Sequence, residues 1–231
     1  RRRIVPAKQV MAMHPDYDML SRLPLFSGIS AENVQVMLQC LGSWFQTLHK
    51  GEFPILAKDE VPYVGIILKG RIHMIHEDAW GDTAILSDLG PGHLFGETFA
   101  CGAMRRSSVT FQAIRETRIL ALPFHKVLHT CQNSCPFHYR LIENMLYMAA
   151  DKNAQLMEKL EIVSKKTLRR KILTYLSFQS EHQDSRTFEL PMSRTQLADY
   201  LCADRTAVSR ELARMKQEGR IDFDKNTFTL L

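Results

Sequence analysis

Several features that would place this chain in familiar classes are scarce or missing. It has five cysteines, an odd number in no regular spacing, which argues against a disulfide framework and indicates a reducing compartment. No apolar run approaches the roughly 20 residues that span a bilayer, and no secretory signal is visible, so we predict a cytoplasmic location and no membrane partner. The sequence begins Arg1-Arg2-Arg3 without an initiating Met, as expected of a piece of a longer sequence.

Catalytic signatures are missing as well. The sequence contains no nucleophile elbow, no Gly-rich dinucleotide loop and no paired-carboxylate arrangement. Glu97 and Glu143 have no neighbouring groups that suggest acid–base chemistry. These absences predict a protein that is not an enzyme.

Positive charge is concentrated toward the C-terminal end of the chain. The 231 residues are 45% hydrophobic and 24% charged, which is ordinary for a globular protein, and the formal net charge is +5. From Ser164 onward there are thirteen Lys and Arg against nine Asp and Glu, whereas the larger preceding part is almost balanced. This is where a phosphate-binding surface is expected.

The stretch Ser193–Met215 predicts two short helices joined by a tight turn. Its apolar residues recur at helical spacing, stop at Cys202-Ala203-Asp204 and then resume. Ser193 with Gln196 three residues later forms an N-terminal capping pattern, and Asp204 can cap the second helix. A strand–turn–strand pattern follows over Arg220–Leu230, so the whole is typical of a winged helix-turn-helix.

In a helix-turn-helix the second helix enters the major groove, and its N-terminal residues reach the base edges. The polar face of the second predicted helix carries side chains suited to guanine and phosphate contacts: Arg205, Thr206, Ser209 and Arg210. An ordinary pair of surface helices with solvated charges shows the same periodicity. The predicted wing favours DNA binding over that alternative.

A β-rich region precedes these helices. After a helix over Ala31–Leu41, capped by Ser30, short β-runs alternate with glycine and proline, which indicates a sandwich or roll. A loop is predicted over Gly96–Arg106. The predicted strands are Trp44–Leu48, Val64–Leu68, Arg71–His76, Thr83–Leu89, Val109–Ala113 and Arg118–Leu122.

A long helix is predicted from Pro136 to about Val163. One face repeats at steps of three and four and forms a heptad seam: Tyr139, Ile142, Leu146, Ala149, Asn153, Leu156, Leu160 and Val163. Asn153 is the one polar residue at a seam position, and a buried Asn there favours a parallel, in-register dimer. We therefore predict a homodimer through residues 139–163. A second stripe, Leu141, Met145 and Met148, is expected to pack on the β-domain.

Taken together, the chain resembles the Crp/Fnr family of bacterial transcription regulators. The likeness rests on Leu68-Lys69-Gly70, on the glycine-punctuated segment Gly90–Glu97 and on the helix-turn-helix. It implies an α+β fold with three parts: a cyclic-nucleotide-binding-like β-roll (a jelly roll) that binds an effector over 15–135, a dimerisation helix over 136–163, and a winged helix-turn-helix DNA-binding domain over 164–231.

The resemblance also implies DNA contacts. In the family, the arginine that opens the recognition helix and the arginine five residues later contact the operator, and these match Arg205 and Arg210. Many members have glutamate where this chain has Thr206. Ser193 matches the family serine at the first helix, with Arg194 as a phosphate contact. The implied partners are near-palindromic double-stranded DNA and RNA polymerase.

The effector residues follow the family pattern only in part. Nucleotide-binding members use a Gly-Glu pair, a loop and an Arg-Ser pair as a phosphate cassette. Gly96-Glu97 and Ser108 match this pattern. Ser107 stands at the arginine position and Arg106 lies one residue early, which in an extended segment turns the side chain to the other face.

The identity of the effector is left open by the sequence. The displaced arginine and the apolar loop Thr98–Met104 disfavour cAMP and favour an anionic or partly apolar molecule. Asn153 lies near the point where the family helix reaches the adenine and is a second candidate contact. No cysteine precedes Cys40, which argues against the family's N-terminal iron–sulfur cluster.

Three alternatives remain at this point. A β-roll also occurs in kinase regulatory subunits and channels as a cyclic-nucleotide-binding module, but those proteins lack the winged helix. Haem-binding relatives use axial histidines, for which the chain offers His73, His76 and His93. Cys131 and Cys135 have the residue type for zinc or a thiol switch, although without a familiar ligand spacing.

Overall fold

A computed structural model describes residues 15–78, 80–103, 105–128, 136–190 and 192–231. The chain divides into two compact units, the first ending at Met148 and the second beginning at Ala149. In the described part, no helix is both long enough and apolar enough to cross a membrane. The predicted effector domain (15–135), dimerisation helix (136–163) and DNA-binding domain (164–231) divide the chain by function, and these limits stay a prediction.

Short helices open the first unit. Helix α1 spans Tyr17–Ser21, a 3₁₀ turn spans Pro24–Phe26, and α2 spans Ala31–Leu41. The Ser30 hydroxyl accepts a hydrogen bond from the Asn33 N–H at 3.4 Å, so α2 is capped as predicted.

Two antiparallel sheets form the β-roll that the sequence predicts. The strand order is β1-β7-β2-β5 in one sheet and β4-β3-β6 in the other. The strands are β1 (Trp44–Leu48), β2 (Tyr63–Lys69), β3 (Ile72–Glu77), β4 (Thr83–Leu89), β5 (Leu94–Phe95), β6 (Thr110–Ala113) and β7 (Thr117–Pro123).

Aromatic rings fill the interior of the roll. The Phe95 ring lies 6.4 Å from that of Tyr63 and 5.6 Å from that of Phe111, measured between centroids. A Cβ atom at Gly65 would lie 2.1 Å from the Phe95 ring, so only glycine allows this approach. The glycine in the middle of β2 is therefore a packing requirement.

The predicted loop over Gly96–Arg106 is wrong in its first turn. Residues Glu97–Ala100 form a short helix, α3, which follows Gly96 in the left-handed conformation with φ +78°. Four residues are too few to show a helical period in the sequence. A second short helix, α4, spans Phe124–Leu128 and directly follows Pro123, the last residue of β7.

The long helix α5 spans Pro136–Ser164, as predicted. Leu141 and Met145 are buried in the core of the first unit and Met148 is partly buried against it, so the predicted packing stripe is confirmed. The Asn144 side-chain amide donates to the backbone oxygens of Leu25 and Ser27, both at 2.9 Å. This buried polar anchor was not predicted.

Most of the heptad seam of α5 is exposed in the single chain, although Ile142 and Val163 are partly buried. Four seam residues are between 65% and 67% exposed: Tyr139, Leu146, Leu156 and Leu160. Asn153 is exposed as well. Large apolar side chains recurring on one face of a helix are typical of a surface that another protein covers.

The second unit is a helical core with a small sheet. Its elements are α6 (Leu168–His182), β8 (Thr187–Glu189), α7 (Arg194–Tyr200), α8 (Arg205–Gln217), β9 (Ile221–Asp224) and β10 (Thr227–Leu230). The sheet order is β8-β10-β9, so the predicted hairpin gains a third strand. Strand β8 was missed because three residues give no visible alternation. Leu197, Val208, Leu212 and Phe228 lie in the core.

One buried histidine predicts how stability depends on pH. His138 in α5 is 1% exposed, and neither ring nitrogen has a hydrogen-bond partner in the described residues. Burial lowers the pKa of His138 below its ordinary value of 6.5. The unfolded chain therefore binds this proton more readily, and stability should fall as the pH drops below 6.5.

Thermal unfolding at pH 7.5 and pH 5.5 checks this prediction. His138→Leu should reduce the drop in unfolding temperature between the two pH values. The exposed His125 supplies a control, and His125→Gln should keep the drop of the original chain. An equal drop in the original chain and in His138→Leu would contradict the assignment.

Candidate effector pocket and DNA-binding surface

The two helices of the helix-turn-helix begin at caps. The Ser193 hydroxyl accepts from the Gln196 N–H at 3.3 Å, and the Gln196 side chain accepts from the Ser193 N–H at 2.8 Å. The Asp204 carboxylate accepts from the Ala207 N–H at 2.9 Å and starts α8. Both predicted caps are confirmed, and they fix where the second helix begins.

Helix α8 has one buried and one exposed face. Val208, Leu212 and Met215 are buried in the core of the second unit. The four predicted contact residues are all exposed on α8: Arg205, Thr206, Ser209 and Arg210. The Ser209 hydroxyl donates to the Arg205 backbone oxygen at 3.0 Å. The structure thus brings the predicted residues together on one accessible surface.

The arginines of the second unit fall into two groups. Arg169 donates to Glu211 at 2.5 Å and to both oxygens of Glu218 at 2.7 and 2.9 Å, which raises the pKa of Arg169. This clamp links α6 to α8. Among the described residues, by contrast, Arg205 and Arg210 have no ion-pair partner. Their charges are available to a ligand.

Arg194 lies under the wing. Its guanidinium donates to the Lys225 backbone oxygen at 2.6 Å and lies 4.5 Å from the Phe228 ring centroid and 5.0 Å from that of Phe223. Burial lowers its pKa. The predicted phosphate contact is therefore also a support for the β9–β10 turn, a role that the sequence did not suggest.

A cavity of about 520 Å³ lies beside α3. Thr98, Phe99, Gly102 and Ala103 form one side, and Lys58, Arg105 and Arg106 supply positive charge. Lys58 and Arg105 were not predicted as site residues. Both have a left-handed backbone, with φ +74° and +48°, which the sequence does not reveal.

The segment Arg106–Ser108 alternates as an extended chain does. Arg106 and Ser108 are exposed, whereas Ser107 is 2% exposed, and all three line the cavity. The Ser107 hydroxyl donates to the Val109 oxygen at 2.6 Å and accepts from the Val109 N–H at 3.2 Å. Its hydrogen-bonding capacity is thus used within the protein.

Gly96 and Glu97 stand next to this cavity in sequence but do not line it. A Cβ atom at Gly96 would lie 3.0 Å from Ile55 Cδ1, in a backbone conformation that favours glycine. Glu97 is 7% exposed. The structure therefore groups Arg106, Ser107 and Ser108 and leaves the Gly-Glu pair outside this cavity.

The remaining candidates lie elsewhere in the sequence. Asn153 belongs to the second compact unit. In the described part of the chain, no group of three or more His, Cys, Asp or Glu side chains could hold a metal ion, so His73, His76 and His93 form no such group. Cys131 and Cys135 lie outside the described residues.

Two family models match the chain in the order of its two units. The cyclic nucleotide-binding domain matches residues 45–134, and the Crp-like helix-turn-helix domain matches residues 170–231. The chain belongs to the Crp/Fnr family of transcription regulators. As a Crp/Fnr regulator it combines an effector-binding domain with a helix-turn-helix DNA-binding domain.

Solved structures share this Crp/Fnr fold. CLP from Xanthomonas campestris, described as a c-di-GMP responsive global regulator, is similar with a TM-score of 0.57 and 16% identity over 87% of this chain and 99% of that one. CprK complexed with OCPA is similar with a TM-score of 0.58 and 18% identity over 86% of this chain and 89% of that one. A CooA mutant from Carboxydothermus hydrogenoformans is similar with a TM-score of 0.55 and 19% identity over 81% of this chain and 83% of that one.

At these identities the likeness establishes the shared fold. A comparison with curated protein sequences found no match.

Proposed function

We propose that this Crp/Fnr regulator is a parallel homodimer that binds a near-palindromic operator and responds to a small molecule held in the β-roll. It acts in the bacterial cytoplasm, without catalysis and through contact with RNA polymerase. The observation that carries the DNA-binding part is the pair of exposed arginines, Arg205 and Arg210, on the outer face of α8 with no ion-pair partner in the described residues.

The dimer is supported by the uncovered seam of α5. Leucine side chains at positions 146, 156 and 160 are about two-thirds exposed, although burying such a side chain is worth about 1.5–3 kcal/mol. A parallel partner helix would cover them and would place Asn153 opposite its own copy. A two-fold dimer presents two recognition helices, and this requires half-sites about one helical turn, ~34–36 Å, apart.

DNA contacts are proposed for six side chains of the helix-turn-helix, at the start of α7 and in the first turns of α8. Arg205 and Arg210 are proposed as base-edge or adjacent phosphate contacts. The shorter side chains of Thr206 and Ser209 are proposed to contact bases at closer range. Ser193 and Arg194 are proposed as phosphate contacts at the start of α7. Thr206 stands where many members of the family have glutamate, so the half-site need not match the common one.

The effector is proposed to lie in the cavity beside α3, against the Arg106–Ser108 segment; Gly96-Glu97 leads into α3 but does not line this cavity. Structures of the same fold are described with different small molecules, since CLP is called c-di-GMP responsive and CprK is complexed with OCPA. Ser107 stands at the family arginine position, is buried, and donates its hydroxyl to the Val109 backbone oxygen. This supports an effector other than cAMP.

Salt dependence of DNA binding tests the proposal. A dimer that neutralises about six to ten phosphates should lose about 10³–10⁵ in affinity for duplex DNA between 50 and 200 mM salt. Fluorescence anisotropy of a labelled 30-base-pair duplex measures this. Affinity that is unchanged across this salt range would contradict DNA binding by this surface.

A further inference from the structure

Helix α8 has a third face besides its buried face and the face of its proposed DNA contacts. Glu211, Arg214 and Glu218 follow one another at steps of three and four residues, so their side chains lie along one strip of the helix. The two carboxylates of this strip accept hydrogen bonds from Arg169 of α6. Helix α8 is therefore tied to α6 along a face that is separate from both its core and its DNA contacts.

The clamp formed by Arg169 is directional at both carboxylates. Its Nε donates to Glu211 at 2.5 Å, and its two terminal nitrogens donate to the two oxygens of Glu218 at 2.7 and 2.9 Å. These glutamates are seven residues apart in the sequence, which is about 10.5 Å along the axis of a helix. One planar guanidinium thus holds α8 over two turns. A lysine ammonium is a point charge and lacks this fork.

The arginine itself is mounted on a fixed part of α6. Arg169 is the second residue of this helix, which is capped by Thr167. Ile172, three residues further on, is fully buried in the core of the second unit. Lys171 Nζ donates to the backbone oxygen of Leu201, at the end of α7, at 3.2 Å. Helix α6 is therefore a platform that contacts both helices of the helix-turn-helix.

Base reading requires a sharply defined rotation of α8 about its own axis. A rotation of about 20° moves the end of a side chain that lies roughly 5–6 Å from the axis by about 2 Å. Hydrogen bonds to base edges span only about 2.7–3.2 Å, whereas the attraction between an arginine and a phosphate declines gradually with distance. Apolar burial is non-directional, so Val208 and Leu212 hold α8 on the domain but define its rotation less closely than hydrogen bonds do.

We propose that Arg169 is a positioning residue for DNA reading, and that its clamp fixes the rotation at which Arg205 and Arg210 reach base edges. Loss of the clamp leaves the core of the domain intact and frees the rotation of α8. The preference for particular bases then falls, while the general attraction to the duplex remains. This positioning role rests on the proposed function, in which Arg205 and Arg210 read bases.

Arg169→Lys tests the role in the full chain, because it keeps the charge and removes the planar fork. Fluorescence anisotropy gives the affinity for the operator that the original chain selects from random DNA and for a duplex with the same bases in scrambled order. The ratio of the two affinities should fall at least about fivefold, since one bidentate base contact discriminates by about five- to 150-fold. Affinity for the scrambled duplex should stay within about twofold, with an unchanged salt dependence.

Two further variants complete the test. Glu218→Gln removes the other side of the clamp and should also lower the ratio, and it serves as the test if Arg169→Lys does not fold. Added to Arg169→Lys, it should lower the ratio little further, because the two side chains act through one contact. Arg170→Lys is the matched control, since it makes the same substitution at the next residue of α6, which is exposed and outside the clamp. It should keep the ratio of the original chain.

Three results would overturn the positioning role. The folded Arg169→Lys chain could keep the original ratio, it could lose affinity for the operator and the scrambled duplex alike, or Arg170→Lys could lower the ratio equally. Equal loss for both duplexes would indicate a phosphate contact or a general support of the fold. An original chain that selects no sequence would refute the proposed function itself, and the positioning role with it, so the two failures are distinct.

Discussion

Leu156→Glu combined with Leu160→Glu should convert the proposed dimer into a monomer and lower affinity for a palindromic operator by about 10²–10⁴-fold. Both leucines are about two-thirds exposed on the uncovered seam of α5. Glutamate is a good helix former, so the helix itself should persist. A carboxylate enclosed in the seam would be desolvated and would face its own copy across the two-fold axis.

Sedimentation velocity and operator titration measure the two effects separately. Gln155→Glu is the control, because it adds a carboxylate at an exposed position of α5 outside the seam. The control should stay dimeric and keep its operator affinity. A double variant that remains dimeric, or an unaltered chain that is monomeric at micromolar concentration, would contradict dimerisation through this seam.

Arg205→Ala and Arg210→Ala should each cost about 1–3 kcal/mol per half-site if the arginine reads guanine. This corresponds to a loss of about five- to 150-fold in affinity for each half-site. The variant should lose most affinity for the original operator. On an operator altered at the base that the arginine reads, the variant and the original chain should bind equally, because the contact is already missing there. Binding to a panel of single-base operator variants measures this pattern.

Arg194→Ala provides the contrast. It removes a proposed phosphate contact and the support under the β9–β10 turn, so it should weaken all sequences alike and flatten the salt dependence. Unchanged operator affinity in both Arg205→Ala and Arg210→Ala would refute the base-reading assignment, whatever Arg194→Ala does.

Local chemistry explains what the sequence could predict. Ser30, Ser193 and Asp204 cap helices through hydrogen bonds to N–H groups three residues away, so the caps are visible in the sequence. The long helix was visible because its apolar seam repeats at steps of three and four from Tyr139 to Val163, about seven turns. The roll was visible because glycine and proline separate its strands.

Long-range contacts and unusual backbone conformations explain what was missed. Asn144 looks like any polar helix residue until Leu25 and Ser27, far away in sequence, come to lie beside it. Lys58 and Arg105 adopt left-handed conformations that lysine and arginine do not favour, so no sequence rule points to them. The candidate pocket therefore gained two cations only from the structure.

Selection of binding sites from random double-stranded DNA by the full chain tests the central claim most directly, because it reads out dimer symmetry and base recognition together. The predicted result is an enriched inverted repeat whose half-sites are centred about one helical turn, ~34–36 Å, apart. In the Arg205→Ala chain, one base position in each half should lose its preference. Recovery of an unpaired half-site, or of no enriched sequence at all, would contradict a two-fold regulator that reads DNA through α8.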